Sequence, residues 1–170
     1  IEVGVDVGNA TAMVILDAKT GEVLALVNQP DYNPNNRAAV TGRQTRNRSV
    51  TDLFEPGSTM KPFTIAAALD AGIVKPTTMI ETGPLRIGGW TLNDSHPLGT
   101  LSVAQVISKS SNIGTAKIQL AMSAERMGTL YRELGFGAPP RTGFPGEAKG
   151  QLRPWEKWRP VEQATMSYGH

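Results

Sequence analysis

Four residues are spaced for nucleophilic chemistry: Ser58, Lys61, Ser110 and Asn112. A serine hydroxyl is a poor nucleophile near neutral pH and needs a partner to take its proton. Lysine can be that partner when burial or neighbouring cations lower its pKa. Ser58 and Lys61 stand three residues apart in Phe54-Glu55-Pro56-Gly57-Ser58-Thr59-Met60-Lys61-Pro62-Phe63. On a helical turn, residues i and i+3 share a face, with Cβ atoms roughly 5–6 Å apart. At a helix N-terminus the dipole and the free N–H groups favour developing negative charge, so the Ser58 N–H is a natural oxyanion donor. A lone Ser-x-x-Lys usually means a capping serine beside a solvated lysine. Here the long flanks and a second polar cluster, Ser110-Ser111-Asn112, argue for more. Ser and Asn are also favoured N-cap residues. Both readings can hold, with the cap fixing the loop while Ser110 and Asn112 face a cleft.

The elements that must position these residues follow from patterning. Ala12–Asp17 and Glu22–Val27 are short apolar runs joined by Lys19-Thr20-Gly21, which predicts an antiparallel hairpin. Their nearly continuous apolar character predicts strands buried on both faces. Residues 28–50 form a long polar excursion without periodicity. Ser58–Ala71 reads as a helix closed by Gly72. Because Pro62 is tolerated only near a helix start, Ser58–Lys61 should form a distinct tight first turn. Residues 76–100 read as loop with a small hairpin around Leu85-Arg86-Ile87. Short helices are expected over 102–109, 112–122 and 124–134, and loop over 135–160. Val161–Tyr168 should begin a helix that does not complete.

Bulk properties exclude several functions. The chain has 170 residues, 39% hydrophobic and 19% charged, a length that suits one domain. With a net charge of +2, and no aromatics interleaved with Arg43, Arg46 and Arg48, no nucleic-acid partner is expected. Those arginines read as a solvated or salt-bridged face. Absence of cysteine excludes disulfides and thiolate chemistry. His96 and His170 belong to no carboxylate cluster of ligand spacing, so no metal site is expected. Trp90, Trp155 and Trp158 should pack loops against the body. No apolar run is long enough to span a membrane, so any membrane anchor would lie outside this chain.

The motifs together resemble the penicillin-binding proteins, whose Ser-x-x-Lys pattern carries an acylated serine. More narrowly, the chain resembles a class B transpeptidase of the division-specific (septal) type. The stretches that carry the resemblance are Leu16–Ala25, Tyr32-Asn33-Pro34-Asn35-Asn36, Arg46 through Pro62, Lys109–Gly114, Gly143–Glu147 and Ser167-Tyr168-Gly169-His170. The resemblance implies an α/β fold of the α+β type. This is the beta-lactamase/transpeptidase-like fold, an antiparallel sheet flanked by helices with a helical subdomain, incomplete in this chain. Residues 1–170 would be the N-terminal part of a transpeptidase domain.

By the same resemblance, Ser58 attacks the penultimate D-Ala carbonyl of a peptidoglycan stem peptide. Lys61 takes the serine proton, Ser110 relays it toward the leaving amine, and Asn112 holds the substrate amide and steadies Lys61. Ser111, Tyr168 and Gly169 would contact substrate. Beta-lactam antibiotics would trap Ser58. Division-complex membrane proteins would be partners, the periplasmic face of the bacterial inner membrane the location, and no cofactor would be needed. The family's third motif, Lys-[Ser/Thr]-Gly, is missing from its expected place. Lys19-Thr20-Gly21 spells it but precedes the nucleophile and reads as the hairpin turn. This leaves two alternatives: a serine beta-lactamase or penicillin sensor, with Glu147 and Glu156 as downstream glutamates, or a fragment that does not acylate alone.

Overall fold

The computed structural model describes residues 2–6, 10–36, 38 and 40–170. The chain's contacts group it into two compact units. One comprises Ile1–Leu53 and Pro139–Lys149, the other Phe54–Ala138 and Gly150–His170.

The first unit is built on an antiparallel sheet of order β1-β2-β3, from β1 (Glu2–Asp6), β2 (Thr11–Leu16) and β3 (Val23–Gln29). The β2–β3 hairpin lies where the apolar runs predict it. Its turn is fixed by the Asp17 carboxylate, which accepts the N–H groups of Lys19 and Thr20 at 2.8 Å each. These bonds, Thr20's foremost, hold the Asp17 carboxyl below its usual range. Lys19-Thr20-Gly21 is therefore a hairpin turn. Strand β1 escapes the sequence reading because Glu2–Asp6 is short and interrupted by Gly4. A short helix, α1 (Arg48–Thr51), packs on β2 and β3, and Ser49 N–H donates to Asn28 Oδ1 at 3.0 Å. Arg46 and Arg48 both pair with Asp52, so two of the three arginines form a salt-bridged face. Burial on both faces of the strands is not found. Leu24 is 63% exposed, and Leu16, Val23 and Val27 are exposed as well. A small sheet with one four-residue helix against it cannot cover two faces.

The second unit is mainly helical. It contains α2 (Lys61–Asp70), α3 (Val103–Ser108), α4 (Asn112–Leu120), α5 (Ala124–Glu133) and α6 (Pro160–Met166). Two small antiparallel ladders accompany them: β4 (Met79–Glu81) with β7 (Thr100–Ser102), and β5 (Leu85–Ile87) with β6 (Trp90–Leu92). The second ladder is the expected hairpin. The first joins segments about twenty residues apart and leaves no local pattern to read. Mixed helices and antiparallel strands agree with the α+β class. The core gathers Ile65, Ala68, Val103, Val106, Ile118, Met127 and Tyr131. Thr64 Oγ1 donates to the Ser167 carbonyl at 3.0 Å, and the Tyr131 hydroxyl donates to the Met166 carbonyl at 3.3 Å. Those bonds tie α2 and α5 to the end of α6. Helix α6 does complete: Glu162 accepts the Arg159 N–H at its start, and the chain turns at Gly169 (φ +86°) after its end. Trp155 packs on Gly128 and Trp158 joins the core edge, whereas Trp90 is 61% exposed.

Candidate active site

All the candidate site residues belong to the helical unit. Gly57–Met60 forms a single 3₁₀ turn that runs directly into α2, with Pro62 in the first turn of that helix. This is the tight first turn predicted from Pro62. Ser58 is exposed on it, whereas Lys61 is 3% exposed. Burial lowers the Lys61 pKa below the ordinary lysine value, and the negative charge of Asp94 opposes that shift.

The two residues do not bond each other directly among the described residues. Instead Lys61 Nζ donates to the Ser110 hydroxyl at 2.9 Å and to the Ser110 carbonyl at 2.5 Å. The Ser110 hydroxyl in turn donates to Ser58 Oγ at 3.1 Å. Spacing brings Ser58 and Lys61 to one turn, but a third residue from 49 positions away connects them.

Ser110 is held there by the end of α3. Its N–H bonds the Ile107 carbonyl and the Ser111 N–H bonds the Val106 carbonyl, both at 2.9 Å. That is a Schellman closure, and its left-handed position, usually glycine, is here Ser110 at φ +54°. A non-glycine residue in that region costs of order 1–3 kcal/mol and is concentrated at functional sites. Ser111 then caps α4, its Oγ accepting the Gly114 N–H at 2.8 Å. Gly114 is needed for the close approach of α4 to α3, since a Cβ there would lie 2.6 Å from Val106 Cγ2.

Asp94, read from sequence only as loop, completes the cap. Its Oδ2 accepts the Ser111 hydroxyl at 2.6 Å, and its Oδ1 accepts the N–H groups of Asn112 at 2.5 Å and Ile113 at 3.1 Å. No local pattern signals this, because Asp94 lies 18 residues before the helix it caps.

The three residues expected to contact substrate, Ser111, Tyr168 and Gly169, are buried. Ser111 is fully buried, with its hydroxyl committed to Asp94 and Gly114. Tyr168 is 7% exposed and packs against Ala116 and Ala164. Burial, and secondarily Asp94, raises its phenol pKa. Gly169 is buried and its carbonyl accepts the Gly57 N–H at 3.2 Å, so closely that a Cβ would overlap the Gly57 backbone. Gly169 thus backs the nucleophile turn, and Ser111 holds the start of α4. Beside them, His170 Nδ1 meets Glu55 Oε2 at 2.7 Å. The Asn112 side chain makes no hydrogen bond, to Lys61 or otherwise, among the described residues. A groove of about 660 Å³ lies between α2 and α5, lined by Phe63, Ala66, Asp70, Arg126 and Leu130 among others. None of the four chemical residues lines it, so chemistry and not concavity locates the site. No group of metal-ligating side chains occurs among the described residues.

The arrangement is an exposed hydroxyl linked through a second hydroxyl to a buried amine, beside an unengaged amide. It can transfer an acyl group through a serine ester.

The chain is similar to known proteins over most of its length. A family model described as the penicillin binding protein transpeptidase domain matches residues 11–170. A probable peptidoglycan D,D-transpeptidase (PenA) of Neisseria flavescens is 51% identical over 95% of this chain and 40% of its own length. The peptidoglycan D,D-transpeptidase FtsI of Escherichia coli K12 is 40% identical over 92% of this chain and 27% of its own. Among solved structures, the transpeptidase domain of Burkholderia pseudomallei penicillin-binding protein 3 superposes with a TM-score of 0.83. It is 48% identical over 95% of this chain and 45% of that one. The chain thus spans less than half the length of these relatives.

Proposed function

This chain belongs to the penicillin binding protein transpeptidase domain family, and on that premise we propose that it supplies the nucleophile half of a peptidoglycan D,D-transpeptidase site. The observation that carries the proposal is the bonded series Lys61–Ser110–Ser58.

Ser58 Oγ attacks the carbonyl of the penultimate D-Ala of a stem peptide, with the Ser58 N–H as one oxyanion donor. As the Oγ–C bond forms, the serine proton passes to the neutral amine of Lys61 by way of Ser110, whose hydroxyl and that of Ser58 turn to donate toward the amine; burial favours that neutral form. The C–N bond to the terminal D-Ala then breaks. Hydrogen bonds in the resting site run from Lys61 through Ser110 toward Ser58, the polarity needed to hand that proton to the leaving amine. Asn112, with its amide unengaged, holds the substrate peptide. An amino group of a neighbouring strand attacks the ester, forming the cross-link and freeing Ser58. A beta-lactam acylates Ser58 by the same first step. No cofactor or metal takes part.

The motif resemblance to division-specific transpeptidases extends this proposal to a septal role for the whole protein. Action at the periplasmic face of the inner membrane and partnership with division-complex membrane proteins extend that reading. No helix among the described residues is long and apolar enough to cross a membrane.

The test is product analysis with a full-length protein carrying this chain and a D-Ala-D-Ala stem peptide plus amine acceptor. Release of D-Ala with formation of the cross-linked product is expected. Rapid turnover of penicillin to penicilloate without cross-linking would assign a beta-lactamase instead.

A further inference from the structure

The relay residue Ser110 makes one side-chain contact on each side, to Lys61 and Ser58, and stands on a left-handed backbone. What prevents that strained residue from relaxing must lie in the segments flanking it. On one side is the Schellman closure of α3. On the other is the first turn of α4, whose first three N–H groups are all bonded: Asn112 and Ile113 to Asp94, Gly114 to Ser111. Ser111 is also bonded to Asp94 through its hydroxyl. A single half-buried carboxylate therefore grips the side chain of the residue after Ser110 and the backbone of the two residues beyond it.

We infer that Asp94 is a positioning residue for the proton relay: its carboxylate fixes the first turn of α4 so that the Ser110 hydroxyl and carbonyl both face Lys61. The inference rests on the transpeptidase reading above. Asp94 does not touch Ser58 or the reacting atoms. It acts through Ser111 and α4 on Ser110, and through its charge on Lys61. Lys61 and Tyr168 are among the groups whose titration that charge affects. At Lys61 it favours the protonated amine, in opposition to burial. The carboxylate thus has two separable effects, a geometric one and an electrostatic one.

They separate in two variants of a full-length protein carrying this chain. Asp94→Ala removes both acceptors and the charge. Asp94→Asn keeps the size and one acceptor oxygen but removes the charge. Acylation by a fluorescent penicillin is followed against pH for both, beside the unchanged protein and Ser58→Ala. Lys61 is titrated in parallel by ¹³C NMR of its ε-carbon, a readout that needs no acylation. For Asp94→Ala we expect acylation slowed roughly tenfold to a hundredfold, the scale of a misplaced catalytic group. For Asp94→Asn we expect a smaller loss. Both its acylation limb and its Lys61 titration should shift to lower pH, because the charge that held the proton on Lys61 is gone. A merely structural cap would lower the rate without moving either midpoint. An unmoved Lys61 titration in Asp94→Asn overturns the inference, as does Asp94→Ala acylating within about twofold of the unchanged protein. Should Asp94→Ala fail to fold, the Asn variant decides alone. If the unchanged protein labels no better than Ser58→Ala, the functional reading fails, while the NMR titration still judges Asp94.

Discussion

A hydroxyl that bridges an exposed nucleophile and a buried amine must be held from both sides, and at Ser110 the backbone provides the hold. The left-handed conformation directs the carbonyl and the side chain of one residue to the same ammonium. Glycine would adopt that backbone without strain but would bring no hydroxyl. Two variants should therefore separate stability from chemistry. Ser110→Gly and Ser110→Ala both lose the relay, and acylation should fall by roughly 10²–10⁴ in each, the usual contribution of a positioned proton-transfer group. In denaturant unfolding, Ser110→Gly should be the more stable of the two by about 1 kcal/mol, because glycine alone relieves the positive φ. Equal stability would contradict the strain assigned to Ser110. The pH dependence has a definite sign. Lys61 must be neutral to accept the Ser58 proton, so acylation should rise with pH through a midpoint below the ordinary lysine value.

At the scale of elements, the nucleophile turn depends on a backbone contact that only glycine permits. A Cβ on Gly169 would overlap the Gly57 backbone, so no side chain fits at Gly169. Gly72, which closes α2 at φ +67°, has open space around its Cβ position. Gly169→Ala should therefore cost more than strain alone, on the order of 2–4 kcal/mol with loss of acylation. Gly72→Ala should cost about 1 kcal/mol and leave acylation intact. Thermal unfolding and labelling of the two variants check this, and equal effects would contradict it. What the sequence made legible divides along the same line. The Pro62-directed turn, the β2–β3 hairpin and helices α3 to α5 were readable because their signals are local. Asp94, the β4–β7 ladder and the Gly57–Gly169 contact join residues 17 or more positions apart, and nothing in a single sequence pairs them. Ser111, Tyr168 and Gly169 sit in motif positions, and their burial is a property of the packed fold that a motif does not carry.

For the whole molecule, the nucleophile, relay and amide lie within one compact unit, while Lys19-Thr20-Gly21 belongs to the other and is spent on a hairpin turn. The resemblance implies that Lys-[Ser/Thr]-Gly lies on a strand beside the cleft and supplies a second oxyanion donor, and that motif has no counterpart after the nucleophile among the described residues. The 170 residues by themselves should therefore acylate at least about a hundredfold more slowly than a full-length protein carrying them, the cost of one missing oxyanion donor. The exposed apolar side chains of β3 give the isolated chain a further liability to association. The central claim is that Ser58 is the nucleophile. It is tested most directly by intact-mass and peptide mapping of the full-length protein after penicillin treatment, beside its Ser58→Ala variant. One stable adduct per molecule on the peptide containing Ser58, absent from the variant, is the predicted result. An adduct of equal yield in Ser58→Ala, or one mapped to a different residue, would contradict it.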